Sequence, residues 1–220
     1  MEFKKIFDAI FKSKILLGIY EEVEKIHLES QKMFEESFES LIKNNDELAK
    51  RLIREDLEVN RLEIKIRKEI LGYLAVNTAP DLNSALILVV TVSNYERIGD
   101  YAKGIARLAL SYPSEFKENG YTKRISEVKN LILKEFETVL SAFKNQDLEK
   151  AKEAIEIYKR IRKIEDSIVA DLNQEKKLKI NTAITYALLS TYLRRTGAHL
   201  KNIATGILKP FPLIDFERQE

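Results

Sequence analysis

The sequence predicts an all-α fold of two tandem pseudo-repeated three-helix bundles, with six long antiparallel helices. Three observations support this fold class: few helix-breaking residues, apolar residues at helical spacing, and an internal repeat. Gly occurs only 7 times and Pro only 4 times in 220 residues, so the chain makes few turns and its helices are expected to be long. Apolar residues make up 45% of the chain, which is enough for a sizeable core.

Apolar residues recur at steps of three or four along six segments. In the third segment they are Leu82, Ala85, Leu86, Val89, Val92, Ile98, Ala102, Ile105 and Ala109. This spacing places them on one face of a helix. The six predicted helices span about 20–43, 46–77, 82–110, 122–143, 147–176 and 181–207. Short turns between them make sequential helices antiparallel neighbours.

Polar residues and prolines mark the ends of these helices. Asn44-Asn45 can cap the second helix, Pro80-Asp81 separates the second from the third, and Asn145 can cap the fifth. Pro113 and Gly120 bracket a linker near the midpoint of the chain. The chain is therefore expected to consist of three helices, a linker and three more helices.

Two parts of the sequence occur twice, which indicates an internal repeat. Lys43-Asn44-Asn45-Asp46 recurs as Lys144-Asn145-Gln146-Asp147, and residues 82–106 align without gaps on residues 180–204. The identical pairs in the longer match are Asn83/Asn181, Ala85/Ala183, Arg97/Arg195, Gly99/Gly197, Lys103/Lys201, Ile105/Ile203 and Ala106/Ala204. The repeat predicts an N-terminal segment at 1–19, a first repeat at 20–110, a linker at 111–121, a second repeat at 122–207 and a tail at 208–220.

Composition limits the classes of partner and chemistry. Lys and Arg number 37 and Asp and Glu 35, so the net charge does not call for a nucleic-acid partner. The chain has no Cys, which removes disulfides, thiolate metal sites and Cys nucleophiles. It has neither a signal peptide nor an apolar run of membrane-spanning length. We therefore expect a soluble, cytoplasmic protein whose membrane contact is peripheral or through a partner.

Paired oxygen-bearing side chains on two predicted helices form a candidate cation site. Glu96 and Asp100 are the only acids between residues 82 and 110, and the preceding helix carries Asp56 and Asn60 at the same spacing. Residues four apart point from nearly the same face of a helix. If the two helices pack antiparallel, the four side chains can converge, as carboxylates do in the metal sites of helix bundles. The alternative is an ordinary salt-bridge lattice on exposed helix faces, with Arg97, Lys103 and Arg107 nearby.

The residues around these side chains resemble the PhoU family of phosphate-uptake regulatory proteins. The resemblance is carried by Glu96-Arg97-Ile98-Gly99-Asp100, by the run Asn45-Asp46-Glu47-Leu48-Ala49-Lys50-Arg51-Leu52-Ile53 with Asp56, Val59 and Asn60 after it, and by Pro80-Asp81-Leu82. It is strong over 44–110 and weak over 120–207. It implies a regulator without enzymatic activity, acting on a phosphate ABC transporter ATPase and a sensor histidine kinase. It also implies a site for iron, zinc or another divalent metal at Asp56, Asn60, Glu96 and Asp100.

The second repeat departs from this pattern. Arg194 and Ala198 stand where the first repeat has Glu96 and Asp100, and Ile161 and Glu165, or Arg162 and Asp166 in the neighbouring register, stand where it has Asp56 and Asn60. A guanidinium cannot bind a cation, so the second metal site is expected to be lost. Arg194 is instead expected to pair with Glu165 or Asp166. Gly99 and Gly197 are expected to let helices approach closely.

The N-terminus carries an apolar stripe between basic residues. Its apolar members are Phe3, Ile6, Phe7, Ile10 and Phe11, and its basic members are Lys4, Lys5, Lys12 and Lys14. A basic amphipathic helix of this kind can lie on the inner face of an anionic membrane or in the groove of a partner. Packing on its own bundle, or on the mate in a homodimer, is the alternative.

The hypothesis from the sequence is a regulator of phosphate uptake and phosphate-starvation signalling that works by protein–protein contact as a homodimer. Two alternatives remain open: a metal-carboxylate bundle that stores metal or is a di-metal enzyme, and a helical scaffold without metal. Di-iron bundles use two Glu-x-x-His motifs, and this sequence does not contain two. His27 and His199, the two histidines, are expected to lie at the surface or partly buried rather than to act in catalysis.

Overall fold

The computed structural model describes residues 14–77, 80–112 and 116–214, and it is helical as predicted. The elements are α1 (Lys14–Ile42), α2 (Asp46–Val76), α3 (Leu82–Ser111), α4 (Gly120–Asn145), α5 (Leu148–Leu172), α6 (Ile180–Leu208) and a short 3-10 helix (Phe211–Leu213). Within these ranges the chain forms no strand. The apolar N-terminal stripe from Phe3 to Phe11 lies outside the described residues. None of the helices in the described ranges is long and apolar enough to cross a membrane.

Two helix ends differ from the prediction by more than two residues. Helix α1 begins at Lys14 rather than near residue 20, because Leu16 and Ile19 are buried and continue the apolar face of the helix. Helix α5 ends at Leu172 rather than 176. There the Glu175 carboxylate accepts hydrogen bonds from the backbone N–H groups of Lys176 and Lys177, at 2.9 and 2.7 Å. These bonds hold the chain in a turn instead of a further helical turn.

The repeated turns between the first two helices of each repeat are related by 102 residues. Asn44 and Gln146 have positive φ, at 50° and 52°, and the residues that follow them, Asn45 and Asp147, cap α2 and α5. Asn145 is the last residue of α4 and not the cap of α5, so the predicted cap is wrong by two residues. The shift of 101 residues found in the sequence aligned similar residue types, whereas the shift of 102 residues aligns the same backbone conformations.

The two three-helix repeats share one core and meet where α3 packs on α6. At this contact His199 Nδ1 lies 2.7 Å from Asn94 Oδ1, and the rings of Tyr101 and Tyr192 lie 6.0 Å apart. A shift of 98 residues relates Asn94 to Tyr192 and Tyr101 to His199. Each contact therefore joins the same two positions, with the roles of the two repeats exchanged. The interface therefore has a pseudo-two-fold axis, which confirms the predicted tandem repeat.

Candidate functional site

Gly99 sets the crossing of α2 and α3 in the first repeat. A Cβ on Gly99 would lie 3.3 Å from Val59 Cγ1, tighter than most real contacts. The missing side chain lets the two helices approach at this point, as predicted. One turn to either side of this crossing lie the oxygen-bearing side chains that the sequence proposed as a cation site.

The structure brings two of the predicted residues together through a lysine. Lys103 Nζ lies 2.5 Å from Asp56 Oδ2 and 2.9 Å from Asp100 Oδ1. The Asp56 side chain is 6% exposed and the Lys103 side chain 18% exposed, so this ion pair is largely shielded from water. Arg97 closes the outer side, 3.3 Å from Asp100 and 3.5 Å from Glu96.

Glu96 lies near several acids, and Arg97 only partly compensates their charge. Burial raises the pKa of Glu96, and the negative charge of Asp100 raises it further. Arg97 opposes these effects, while Glu63 and Asp56 add to them. The carboxylate is therefore less stable as an anion here than in water.

Glu63 is the acid that the sequence interpretation missed. It lies one turn beyond Asn60 on α2, is 9% exposed, and its Oε1 is 2.7 Å from Arg67 Nη2. The sequence could have indicated Glu63, because Asp56, Asn60 and Glu63 are spaced four and three residues apart and therefore lie on one face of the helix. Glu63 and Lys103 both belong to this site, in addition to the four residues proposed from the sequence.

The donor chemistry of the site fits a hard cation, but its charge is already partly balanced. Asp56 Oδ1 and Asn60 Oδ1 are buried without a hydrogen-bond partner in the described part of the chain, and carboxylate and amide oxygens are the ligands that hard cations take. However, no group of three or more His, Cys, Asp or Glu in the described ranges is arranged to hold a metal ion. Lys103 occupies the position between Asp56 and Asp100, so a metal there would displace its ammonium group.

The second repeat uses the equivalent crossing differently. A Cβ on Gly197 would lie 3.0 Å from Glu135 Oε2 and 3.1 Å from Ile161 Cδ1. Because Gly197 corresponds to Gly99, Ile161 corresponds to Val59, again a shift of 102 residues. The positions of Asp56, Asn60 and Glu63 are therefore held by Tyr158, Arg162 and Glu165. Both registers proposed from the sequence for this helix are wrong by about one helical turn. An error of that size keeps the correct face of the helix but assigns the wrong residue to each position.

The predicted ion pair of the second repeat is confirmed. Arg194 Nη1 lies 2.9 Å from Glu165 Oε2 and 3.3 Å from Asp166 Oδ1. Burial raises the pKa of Glu165 and the Arg194 guanidinium offsets part of that effect. Glu165 corresponds to Glu63, and Arg194 corresponds to Glu96. The two positions therefore hold two acids in the first repeat and an acid with a basic residue in the second.

The two lysines at corresponding positions of the repeats also have different neighbours. Lys103 pairs with Asp56 in the first repeat, whereas Lys201 Nζ lies 5.5 Å from the centre of the Tyr158 ring in the second. A cation over an aromatic face is a favourable but weaker contact. The corresponding lysine thus has a carboxylate beside it in the first repeat and an aromatic ring beside it in the second.

Both histidines are in packed surroundings. His27 is buried, with Nδ1 2.8 Å from Tyr95 Oη, so the expectation of a surface or partly buried place is wrong for His27. It holds for His199, which is partly buried beside Asn94. Burial lowers the pKa of each imidazole to about 4. Both rings are therefore neutral at pH 7 and contribute to packing.

Comparisons with known proteins agree with this architecture. The family model described as "PhoU domain" matches the chain twice, over residues 23–109 and 125–207. A phosphate-specific transport system accessory protein PhoU homolog from Clostridium acetobutylicum is 23% identical over 215 residues, covering 93% of this chain and 94% of the relative. A phosphate-specific transport system accessory protein PhoU from Serratia marcescens is 30% identical over 171 residues, covering 74% of this chain and 69% of the relative.

A solved structure shows the same fold over nearly the whole chain. The crystal structure of PhoU from Pseudomonas aeruginosa has a TM-score of 0.82 and 22% identity, and the match covers 88% of this chain and 95% of that one. The two family-model matches cover most of the sequence and fall on the two structural repeats. This chain therefore belongs to the PhoU family.

Proposed function

We propose that this protein is a regulator of phosphate uptake that acts in the cytoplasm by protein–protein contact, without enzymatic activity. The observation that carries the proposal is that the chain consists of two PhoU domains. The relatives from Clostridium acetobutylicum and Serratia marcescens bear the name of accessory proteins of a phosphate-specific transport system. The proposed partners are the ATPase of a phosphate ABC transporter and a sensor histidine kinase of phosphate-starvation signalling.

A capture experiment in the source cell tests the proposed partners. The full chain, tagged at its C-terminus, is isolated from cells grown with abundant and with limiting phosphate, and co-purifying proteins are identified by mass spectrometry. A tagged helical bundle of similar size and charge serves as the control. We expect the transporter ATPase or the kinase to be enriched over the control, with an enrichment that depends on phosphate supply. Reciprocal captures that recover neither pair would refute the proposal.

We also propose that the first repeat binds one divalent or ferric ion through Asp56, Asn60, Glu96 and Asp100, and that the second repeat binds none. The two buried oxygens without partners, Asp56 Oδ1 and Asn60 Oδ1, support this proposal. A bound cation would neutralise the acids that now raise the pKa of Glu96. Lys103 competes for the same position, because its ammonium group already neutralises Asp56 and Asp100.

Substitution of the two corresponding lysines tests this competition. Lys103→Met should increase the metal content of purified protein at limiting Fe²⁺ or Zn²⁺, because it removes the ammonium group that Asp56 and Asp100 share. Lys201→Met is the matched control and should leave the metal content unchanged. The double variant Glu96→Gln, Asp100→Asn should lose the metal. Elemental analysis measures all three, and equal metal content in all of them would contradict the proposed site.

The same measurement separates the other functions that the sequence left open. A metal store or di-metal enzyme requires metal in stoichiometric amounts, and a scaffold requires none. The homodimer remains a prediction, and sedimentation of the purified chain over a range of concentrations tests it.

A further inference from the structure

An open groove lies between the first turns of α1 and the last turns of α2. Its walls include Ile15 and Val76, and its volume is about 500 Å³. Ile15 is 46% exposed and Val76 is 69% exposed, so both apolar side chains are left to water by the described part of the chain. The groove is large enough for several apolar side chains of an additional element.

Two glycines leave the floor of this groove open. A Cβ on Gly18 or on Gly72 would meet no described residue within 4 Å, whereas a Cβ on Gly99 or Gly197 would press on neighbouring side chains. Glycine inside a helix lowers stability relative to alanine, and no close packing in the described structure accounts for Gly18 and Gly72. The two residues leave a notch facing the groove, which an incoming side chain could fill.

The rim of the groove is acidic and contains an unsatisfied oxygen. Glu21, Glu22 and Glu69 line it. Lys65 lies 2.8 Å from Glu22 Oε1 and 3.8 Å from Glu69 Oε1, so one ammonium group serves two carboxylates. Glu22 Oε2 is buried and has no hydrogen-bond partner within the described ranges. A buried carboxylate oxygen without a partner is costly, and the missing partner at this position is a hydrogen-bond donor, preferably a cation.

We propose that residues 1–13 of this chain fold back and occupy the groove, with apolar side chains on the glycine notch and lysines on the acidic rim. The segment joins α1 at Lys14, next to Ile15 in the wall of the groove. It carries the Phe3–Phe11 apolar stripe together with Lys4, Lys5 and Lys12. This composition complements an apolar floor bordered by three glutamates.

The length of the segment also matches the groove. A helix formed by the nine residues from Phe3 to Phe11 would span about 12 Å, and the α1 stretch from Ile15 to Glu22 spans about 10 Å. A turn at Lys12 and Ser13 would lay the segment antiparallel to the start of α1. Docking of this kind buries the stripe that could otherwise contact a membrane, so membrane contact would require the segment to leave the groove.

The absence of Trp from the chain allows a single reporter to test the docking. In full-length protein Phe7→Trp should give a blue-shifted emission that acrylamide quenches weakly. Adding Gly72→Leu, which fills the notch, should shift the emission to the red and raise the quenching constant severalfold. Gly120→Leu is the matched control, because a Cβ on Gly120 also meets nothing within 4 Å but belongs to α4; it should leave the emission unchanged.

Three results would overturn the proposal. The first is equal quenching of the reporter in the three proteins. The second is protection that increases with protein concentration, which would place the segment on a second copy. The third is protection that appears only after addition of phosphatidylglycerol vesicles, which would place it on a membrane.

A cross-linking experiment keeps the proposal testable if Gly72→Leu fails to fold. The chain has no Cys, so a cysteine at position 72 can be paired with one at position 3, 7 or 11. At least one pair should form a disulfide within a monomer, because bonding requires the two Cα atoms to approach to about 7 Å or less. The matched control pairs the same three positions with a cysteine at position 120. Failure of all three pairs with position 72 would refute the docking.

Discussion

Glu135 is an acid in the core of the second repeat. It is fully buried, neither carboxylate oxygen has a hydrogen-bond partner among the residues that the structure describes, and its Oε2 points at the space above Gly197. Burial raises the pKa of Glu135 well above its usual range, and nearby Lys201 only partly opposes this. Shifting by 102 residues relates it to the buried Met33 in the first repeat. Gly197 therefore makes room for an acid that the fold does not otherwise accommodate.

We predict that Glu135→Met stabilises the protein at pH 8 by about 1–3 kcal/mol, the cost of an unsatisfied buried polar group. The folded-state pKa lies above the unfolded one, so the wild-type carboxyl contributes most below the unfolded pKa. Its contribution falls as the pH rises through the folded pKa. The gain should therefore be smaller at pH 4.5 than at pH 8. Denaturant titrations at both values measure it, with the nearly isosteric Glu135→Gln as control for volume. A gain independent of pH would show that packing, not charge, dominates.

At the scale of elements, the turns decide which residues of the two repeats correspond. The backbone places the left-handed residues at Asn44 and Gln146 and the caps at Asn45 and Asp147. The resulting shift of 102 residues continues through the middle helices to the Gly99 and Gly197 crossings. One residue of register at a turn changes the face that a helix presents by about 100°. The local cap is thus linked to the identity of the site residues three to four turns away.

We predict that Asp147→Ala lowers the free energy of unfolding by about 0.5–2 kcal/mol, the usual value of a lost N-cap. The Asp147 side chain accepts from the N–H groups of Glu149 and Lys150, at 2.9 and 3.0 Å. Asn145→Ala is the matched control: its side chain is exposed and reaches only Ser141 Oγ, at 3.4 Å. It should change the stability much less. Equal effects of the two substitutions in thermal unfolding would contradict the assignment of the cap.

At the scale of the whole molecule, the α3–α6 interface joins the repeats by packing and by a small number of polar contacts. His199 is the titratable member of this interface, in contact with Asn94 and 5.6 Å from the Tyr101 ring. Burial lowers its pKa to about 4, and the positive charges of Arg195, Arg97 and Lys201 act in the same direction. Protonation of this ring would place another cation at the junction of the two repeats.

We predict that acid weakens the molecule through His199. A folded-state pKa near 4 lies below the ordinary histidine pKa of 6.5, so the contribution of the neutral ring is complete above pH 6.5 and is lost as the pH falls towards 4. His199→Gln keeps a donor for Asn94 Oδ1 and cannot titrate. Its free energy of unfolding should therefore decline less than that of the wild type between pH 6.5 and 4. Parallel declines in the two proteins would exclude His199 as the source.

The sequence alone determined the fold class, the tandem repeat, the crossing at Gly99 and the pairing of Arg194 with an acid of the middle helix. These follow from apolar periodicity, scarce glycine and proline, and repeated letters, all of which are local properties. Tertiary structure alone decided the middle-helix register, the membership of Glu63 and the place of Lys103 between Asp56 and Asp100. The register of the middle helices depends on the backbone conformation of the preceding turn. Similar residue types in the two turns do not reveal that conformation. Whether Lys103 or Glu63 contacts the neighbouring helix depends on the distance between the two packed helices. The sequence of either helix alone does not determine that distance.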